Sequence, residues 1–234
     1  MAYTQRFDKR EFDQTREMKA KVGVIKRANG SAMFSIGKTI AYASVHGPRE
    51  LYPSFKQNPQ KGVLRCFYDL MSFSVTERKR PGPSRRSVEI SSVTEKSLLP
   101  VVDLSNFPGT VVDIFINITQ ADAGTRCAGI CAAALALADA GIPMRDLIAS
   151  VSVGKVSDKV LVDLDKLEED HEDGATDIPV AVVPRTGEIT LLQLDGDITK
   201  EELIQALELA KKSCKEIYKV QKQALKESYE EATK

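Results

Sequence analysis

Histidine is nearly absent from this 234-residue chain: there are two, His46 and His171. Neither belongs to a Ser/His/Asp arrangement, so nothing supports histidine-driven nucleophilic catalysis. Cysteine is sparse too, with four, at 66, 127, 131 and 214. Structural zinc usually takes four ligands, and neither histidine is spaced to join Cys127 and Cys131. The four are expected to be buried free thiols in a reducing, intracellular compartment. Long apolar runs are missing: the longest, Ala128 to Ala138, falls short of the ~20 residues a spanning helix needs. The first ten residues are polar and charged, unlike a signal peptide. Formal net charge is zero, so the whole molecule has no bias toward nucleic acid. A soluble, cytoplasmic protein without membrane contact is expected. Its length suffices for one large domain or two small ones.

Charge is nevertheless concentrated locally. From Arg78 to Arg86 there are five basic residues and no acid, and from Asp163 to Asp177 eight acids and one lysine. Such a pair of segments in a neutral chain suggests a site that handles an anion with a cation's help.

The segment from Gln120 to Ala133 is the most informative. An alternating strand, Val111 to Thr119, puts Val112, Ile114, Ile116 and Ile118 on one side and Asp113, Phe115 and Asn117 on the other. It runs into Gly124-Thr125-Arg126, which opens a helix reaching about Ala140. That helix is apolar on nearly every face, so it is buried mid-domain. N–H groups at a helix start are unpaired, and the helix dipole makes that end positive. Glycine allows close approach of an anion, threonine adds a hydroxyl and arginine a charged fork. Two readings stay open from these residues alone: an ordinary capped joint, or a phosphate site.

Residues 1–18 read as a charged, irregular arm. Strands are expected at Val22–Ile25, Ala32–Ile36 and Thr39–Val45, the last ended by Gly47-Pro48-Arg49-Glu50, and at Val63–Phe73. Prolines 81 and 83 bar regular structure in the basic loop. Ser87–Leu99 reads as a helix, with Arg85 and Arg86 at its start. A second part begins near Met144, with strands at Leu147–Val153 and Lys159–Leu164 and a hairpin of Ile178–Val183 with Glu188–Leu194. Thr199 to Glu202 is a capping box. It opens a final helix with Leu203, Leu207, Ala210, Cys214 and Ile217 on one seam and a solvated or frayed charged end. Grouped strands with few helices favour α+β, mixed sheets packed with helices.

Asp170 and Asp177, with Asp163 and Asp165 upstream, could hold a hard cation such as Mg²⁺, or one of them could act as a general acid. A solvated acidic loop is the alternative. An EF-hand fails for want of its glycine. The basic loop binds phosphates only if it lines a groove. Together, anion turn, arginine pair and carboxylate pair are the kit for phosphoryl transfer.

These residues resemble the RNase PH family, and within it the catalytic subunit type of the archaeal exosome. The likeness runs from about residue 20 to 215. It is carried by Ala28-Asn-Gly-Ser-Ala32, Gly47-Pro-Arg-Glu50, Phe73-Ser74, Glu77 through Ser87, Gln120 through Arg126, Ala136 through Met144 and Leu191 through Gly196. The resemblance implies an RNase PH-like α+β fold of the ribosomal protein S-five domain-two type, with a first part over 19–143, a second over 144–220 and a helix end over 221–234. It implies 3′→5′ phosphorolysis of RNA, releasing nucleoside diphosphates and reversible into tail addition. Implied partners are the single-stranded RNA 3′ end, a paralogous inactive subunit in a six-membered ring, and RNA-binding cap proteins.

By the same resemblance Gly124, Thr125 and Arg126 hold inorganic phosphate, while Arg85 and Arg86, with Arg78 and Arg80, grip RNA. Asp170 and Asp177 are catalytic and associated with Mg²⁺, Asp170 as general acid and Asp177 supporting the metal. The step between them is one residue longer than usual in relatives, which leaves a neighbour such as Asp173 open for the acid. Basic residues that relatives carry near Ser54-Phe55 and Phe67 are missing. A non-catalytic ring subunit and a homohexameric, tRNA-trimming form are the alternatives.

Overall fold

The structure, a computed structural model, describes residues 3–77, 79–171 and 174–232. Two sheets face each other across one helix. The first holds β1 (Met18–Val22), β2 (Gly30–Ile36), β3 (Thr39–Glu50), β4 (Val63–Leu70) and β5 (Thr110–Gln120), in the order β1-β2-β3-β5-β4. Neighbours are antiparallel except β4 and β5, which are parallel. A parallel pair needs a crossover, and α1 (Arg85–Leu98) supplies it. The second sheet holds β6 (Ala149–Val156), β7 (Lys159–Val162), β8 (Ala175–Val183) and β9 (Glu188–Leu192), in the antiparallel order β7-β6-β8-β9. A single turn, α3 (Lys166–Glu169), joins β7 to β8.

The helix between the sheets is α2 (Thr125–Asp139), packed on β2 and β3 to one side and on β6 and β8 to the other. Its composition explains the position. Every residue from Cys127 to Leu137 is buried, and the alanines let both sheets approach. Ile130, Leu135 and Leu137 are fully enclosed, each worth roughly 1.5–3 kcal/mol relative to exposure. The final helix, α4 (Lys200–Ala232), covers β6, β7 and β1. Its expected seam is a core face, with Ala210, Cys214 and Ile217 fully buried. The four cysteines are free and buried. Among the described residues no helix is long and apolar enough to cross a membrane.

Several boundaries differ from the sequence reading. The first strand is Met18–Val22, not Val22–Ile25, because Gly23 turns left-handed (φ 68°) and ends it. Strand β3 runs on through Gly47-Pro48 to Glu50, absorbing them in a register shift between His46 and Arg49. Strand β4 stops at Leu70. The charged end of α4 is one continuous helix to Ala232. There Gln221 is fully buried and donates to the carbonyls of Ile148 (3.0 Å) and Cys131 (3.3 Å). The arm is irregular, as expected, yet firmly packed: Arg6 is 2% exposed and meets Glu168 in a fully buried pair at 2.7 Å.

Candidate active site

A cavity of about 850 Å³ opens where the two sheets meet. Its walls come from distant parts of the chain. The end of β5 and the start of α2 contribute Gly124, Thr125 and Arg126; α1 contributes Arg86; α3 and β8 contribute Glu169, Asp170 and Asp177. A smaller, adjoining cavity of about 400 Å³ shares Arg86, Arg126 and Asp177 and reaches Glu89 and Gln193.

The turn before α2 is unusual backbone. Ala123 (φ 58°) and Gly124 (φ 61°) are both left-handed. Glycine adopts that conformation freely, whereas alanine costs roughly 1–2 kcal/mol. Buried Thr39 clamps the turn: its hydroxyl donates to the Ala123 carbonyl (2.7 Å) and accepts from the Asp122 N–H (3.0 Å). No side chain caps the start of α2. Its first N–H groups are therefore left to a ligand or to water, at the positive end of the helix dipole.

Thr125 and Arg126 complete this wall. The Thr125 hydroxyl accepts a hydrogen bond from Tyr68 at 2.9 Å. Burial, more than any neighbour, pushes the Tyr68 phenol up to about 12, so it stays a donor. The proton of Thr125 is then free for an anion. Arg126 donates to Gln193 through Nη1 and to Glu89 through Nη2 at 3.4 Å. Its Nε is buried and, among the described residues, has no hydrogen-bond partner. A buried donor of this kind normally has an acceptor, protein, water or ion.

The acidic wall faces it. Asp177 is half-buried, pairs in register with Gly154 and accepts from the Ser152 hydroxyl. A Cβ on Gly154 would stand 1.9 Å from the Thr176 carbonyl oxygen, so only glycine lets β6 and β8 approach here. Burial raises the Asp177 carboxyl above its ordinary value, with Ser152, Arg126 and Arg86 pulling it back. Glu169 is pushed up to about 7, first by burial and next by the charge of Asp177. Asp170 ends α3 and is exposed, with Lys166 Nζ at 2.7 Å from its carboxylate.

Not every expected residue comes to the cavity. Arg85 and Arg80 are exposed and line neither space; Lys79 lines the larger one instead, its ammonium on Asp69 (2.9 Å) and the Leu70 carbonyl. Arg78 and Asp173 lie outside the described residues. Asp163 and Asp165 are not part of the acidic wall. Asp163 pairs with Arg16 at 2.7 Å, and Asp165 caps α3. Tyr68, Glu169 and Ser152 went unnoticed in the sequence. Tyr68 is a polar tip at a buried strand position, which is a weak signal, and nothing local marks the other two.

Comparison with known proteins identifies the family. The two domains described as those of the 3′ exoribonuclease family, RNase PH and its C-terminal partner, match residues 14–143 and 146–213. The exosome complex component Rrp41 of Methanopyrus kandleri is 52% identical over 224 residues, 96% of this chain and 93% of that protein. Among solved structures, rice (Oryza sativa) Rrp46 superposes with a TM-score of 0.84 at 22% identity, over 94% of this chain and 100% of that one. A chain of the Archaeoglobus fulgidus exosome with RNA bound to the active site gives 0.78 at 24% identity, over 91% of each. These structures share the fold expected from the sequence. With both family domains matched in order and a relative identical at half its positions, the chain belongs to the 3′ exoribonuclease family, the RNase PH family.

Proposed function

We propose that this chain is the phosphorolytic 3′→5′ exoribonuclease subunit of an exosome-type ring. The observation that carries this reading is the buried, unpartnered Nε of Arg126 beside an uncapped helix start. That is a built acceptor-seeking site in a cavity large enough for a nucleotide. Inorganic phosphate sits on the N–H groups of the Gly124-Thr125-Arg126 turn, the Thr125 hydroxyl and the Arg126 fork. Arg86 meets the RNA backbone, and Arg85 and Arg80 contribute positive charge along its approach.

A phosphate oxygen bonds to the phosphorus of the last linkage, and the bond to the preceding 3′ oxygen breaks. That oxygen takes a proton from Asp170, and a nucleoside diphosphate leaves. The step transfers a nucleotidyl group to phosphate rather than to water. Reversal adds nucleotides to a 3′ end.

Asp170 and Asp177 suit Mg²⁺. Burial raises both Asp177 and Glu169, so a cation beside them would favour their ionised forms. Among the described residues no cluster of three or more ligand-type side chains forms a metal cage. Mg²⁺ commonly takes only one or two protein carboxylates with water and phosphate oxygens. When bound it neutralises charge on the reacting phosphates.

The chain works in the cytoplasm beside a paralogous inactive subunit, with RNA-binding cap proteins on one face. The test is product identity from an oligoribonucleotide. Nucleoside diphosphates that appear only with phosphate and Mg²⁺ support the reading; monophosphates formed without phosphate overturn it.

A further inference from the structure

Arg16 lies outside the cavity lining, yet it bonds Asp122 in the phosphate wall and Asp163 in the backbone that leads into the acidic wall. Its side chain is 7% exposed. The guanidinium grips the Asp163 carboxylate with two parallel bonds, Nε to Oδ2 at 2.8 Å and Nη2 to Oδ1 at 2.7 Å, and the Arg16 backbone N–H adds a third at 2.8 Å. On its other side Nη1 donates to the Asp122 carbonyl, and Nη2 reaches the Leu164 carbonyl at 3.4 Å. The neighbouring backbone makes room: a Cβ on Gly37 would stand 2.4 Å from the Arg16 Cδ.

What these partners precede matters. Asp122 leads into the left-handed pair Ala123 and Gly124, the phosphate turn. Asp163 is itself left-handed (φ 55°) and comes two residues before Asp165, which caps the turn α3 carrying Glu169 and ending at Asp170. Left-handed backbone is strained at alanine and uncommon at aspartate, so both conformations persist only where their surroundings hold them. Arg16 is bonded to the left-handed residue that leads into the acidic wall and to the residue just before the left-handed pair of the phosphate wall.

We propose that Arg16 is a positioning residue for phosphorolysis. It couples the phosphate turn to the acidic wall, so that attacking phosphate and acid keep their spacing. The proposal rests on the functional reading above. Lysine cannot substitute, because one ammonium does not reproduce a planar fork that spans a carboxylate and a carbonyl.

The test uses the full chain in its active assembly. Wild type is assayed first; if it releases no nucleoside diphosphates, the functional reading fails and Arg16 is not at issue. With wild type active, Arg16→Lys and Arg16→Met are titrated with phosphate and with RNA, and their melting temperatures recorded. Displacing a turn by a fraction of an ångström is expected to raise the KM for phosphate about tenfold or more while the KM for RNA stays put. Asp13→Asn, which cuts the arm's exposed 2.7 Å pair with Lys212, leaves both constants unchanged. Should Arg16→Met fail to fold, Arg16→Lys, which keeps the charge, decides. A lower melting temperature with an unchanged KM for phosphate overturns the proposal, as does a parallel change in both KM values.

Discussion

The Tyr68 phenol donates to the Thr125 hydroxyl across 2.9 Å, joining the end of β4 to the first residue of α2. The bond fixes the rotor of the Thr125 hydroxyl at this helix start, where the proposed phosphate would sit. Tyr68→Phe keeps the ring and its packing, so the protein should fold. Losing one neutral hydrogen bond of about 0.5–1.5 kcal/mol should raise the KM for phosphate roughly threefold to tenfold. Initial rates at varied phosphate measure this; an unchanged constant would remove Tyr68 from the site.

Arg126 has a buried Nε with no hydrogen-bond partner among the described residues. Arg126→Lys keeps a positive charge but loses the fork. The expected cost is about 10²–10³ in kcat/KM for phosphorolysis, the range seen when a single charge-stabilising donor is removed. Its pair with Glu89 is long, 3.4 Å, and partly exposed, so thermal unfolding should shift little. Retention of near-wild-type activity would show that the phosphate sits elsewhere.

Asp170 is an exposed carboxylate at the end of α3, and Glu169 is its half-buried neighbour. Asp170→Asn should slow single-turnover product release by about 10²–10⁴, the usual contribution of a general acid, while filter-bound RNA is unchanged. Glu169→Gln should slow it much less. The reverse ranking would move the acid's role to Glu169.

Asp113 provides a pH signature remote from the cavity. It is fully buried and accepts from Arg65 at 2.7 and 2.9 Å and from Arg49. Burial alone would lift its carboxyl, but the bonds from Arg65 and Arg49 outweigh that and hold it below the usual carboxylate range. A carboxyl lowered by folding contributes stability above its unfolded value of about 3.9 and loses it as pH falls through the folded value. Asp113→Asn should therefore cost about 1–3 kcal/mol near pH 7, with the gap narrowing as pH falls below the unfolded value of about 3.9. Denaturant melts near neutrality and below that value check it; a gap that does not narrow in acid would mean that charge is not its source.

The strand–turn–helix at the heart of the molecule was legible in sequence because its signals are local. Alternation from Val112 to Ile118 and an all-apolar run from Ala128 place both elements without reference to anything else. The resemblance carried Arg86, Arg126 and Asp177 to one place before any coordinates. The failures are equally specific. Val22–Ile25 looked like a strand because three of its residues are β-formers, and only pairing with Ile36 and the left-handed Gly23 moved the strand to Met18. Arg80 and Arg85 looked equivalent to Arg86, but a charged loop does not announce which side chains point inward.

By itself, the sequence determined the α+β class, the buried helix, the glycine-threonine-arginine turn that opens it and the family, since each depends on residues adjacent or regularly spaced along the chain. Tertiary structure alone decided which groups tune that site. Tyr68 meets Thr125 from 57 positions away, and Arg16 meets Asp163 from 147. Hydrogen bonds and burial act through space over a few ångströms, and spacing along the chain carries no record of partners brought together only when the two sheets close on α2.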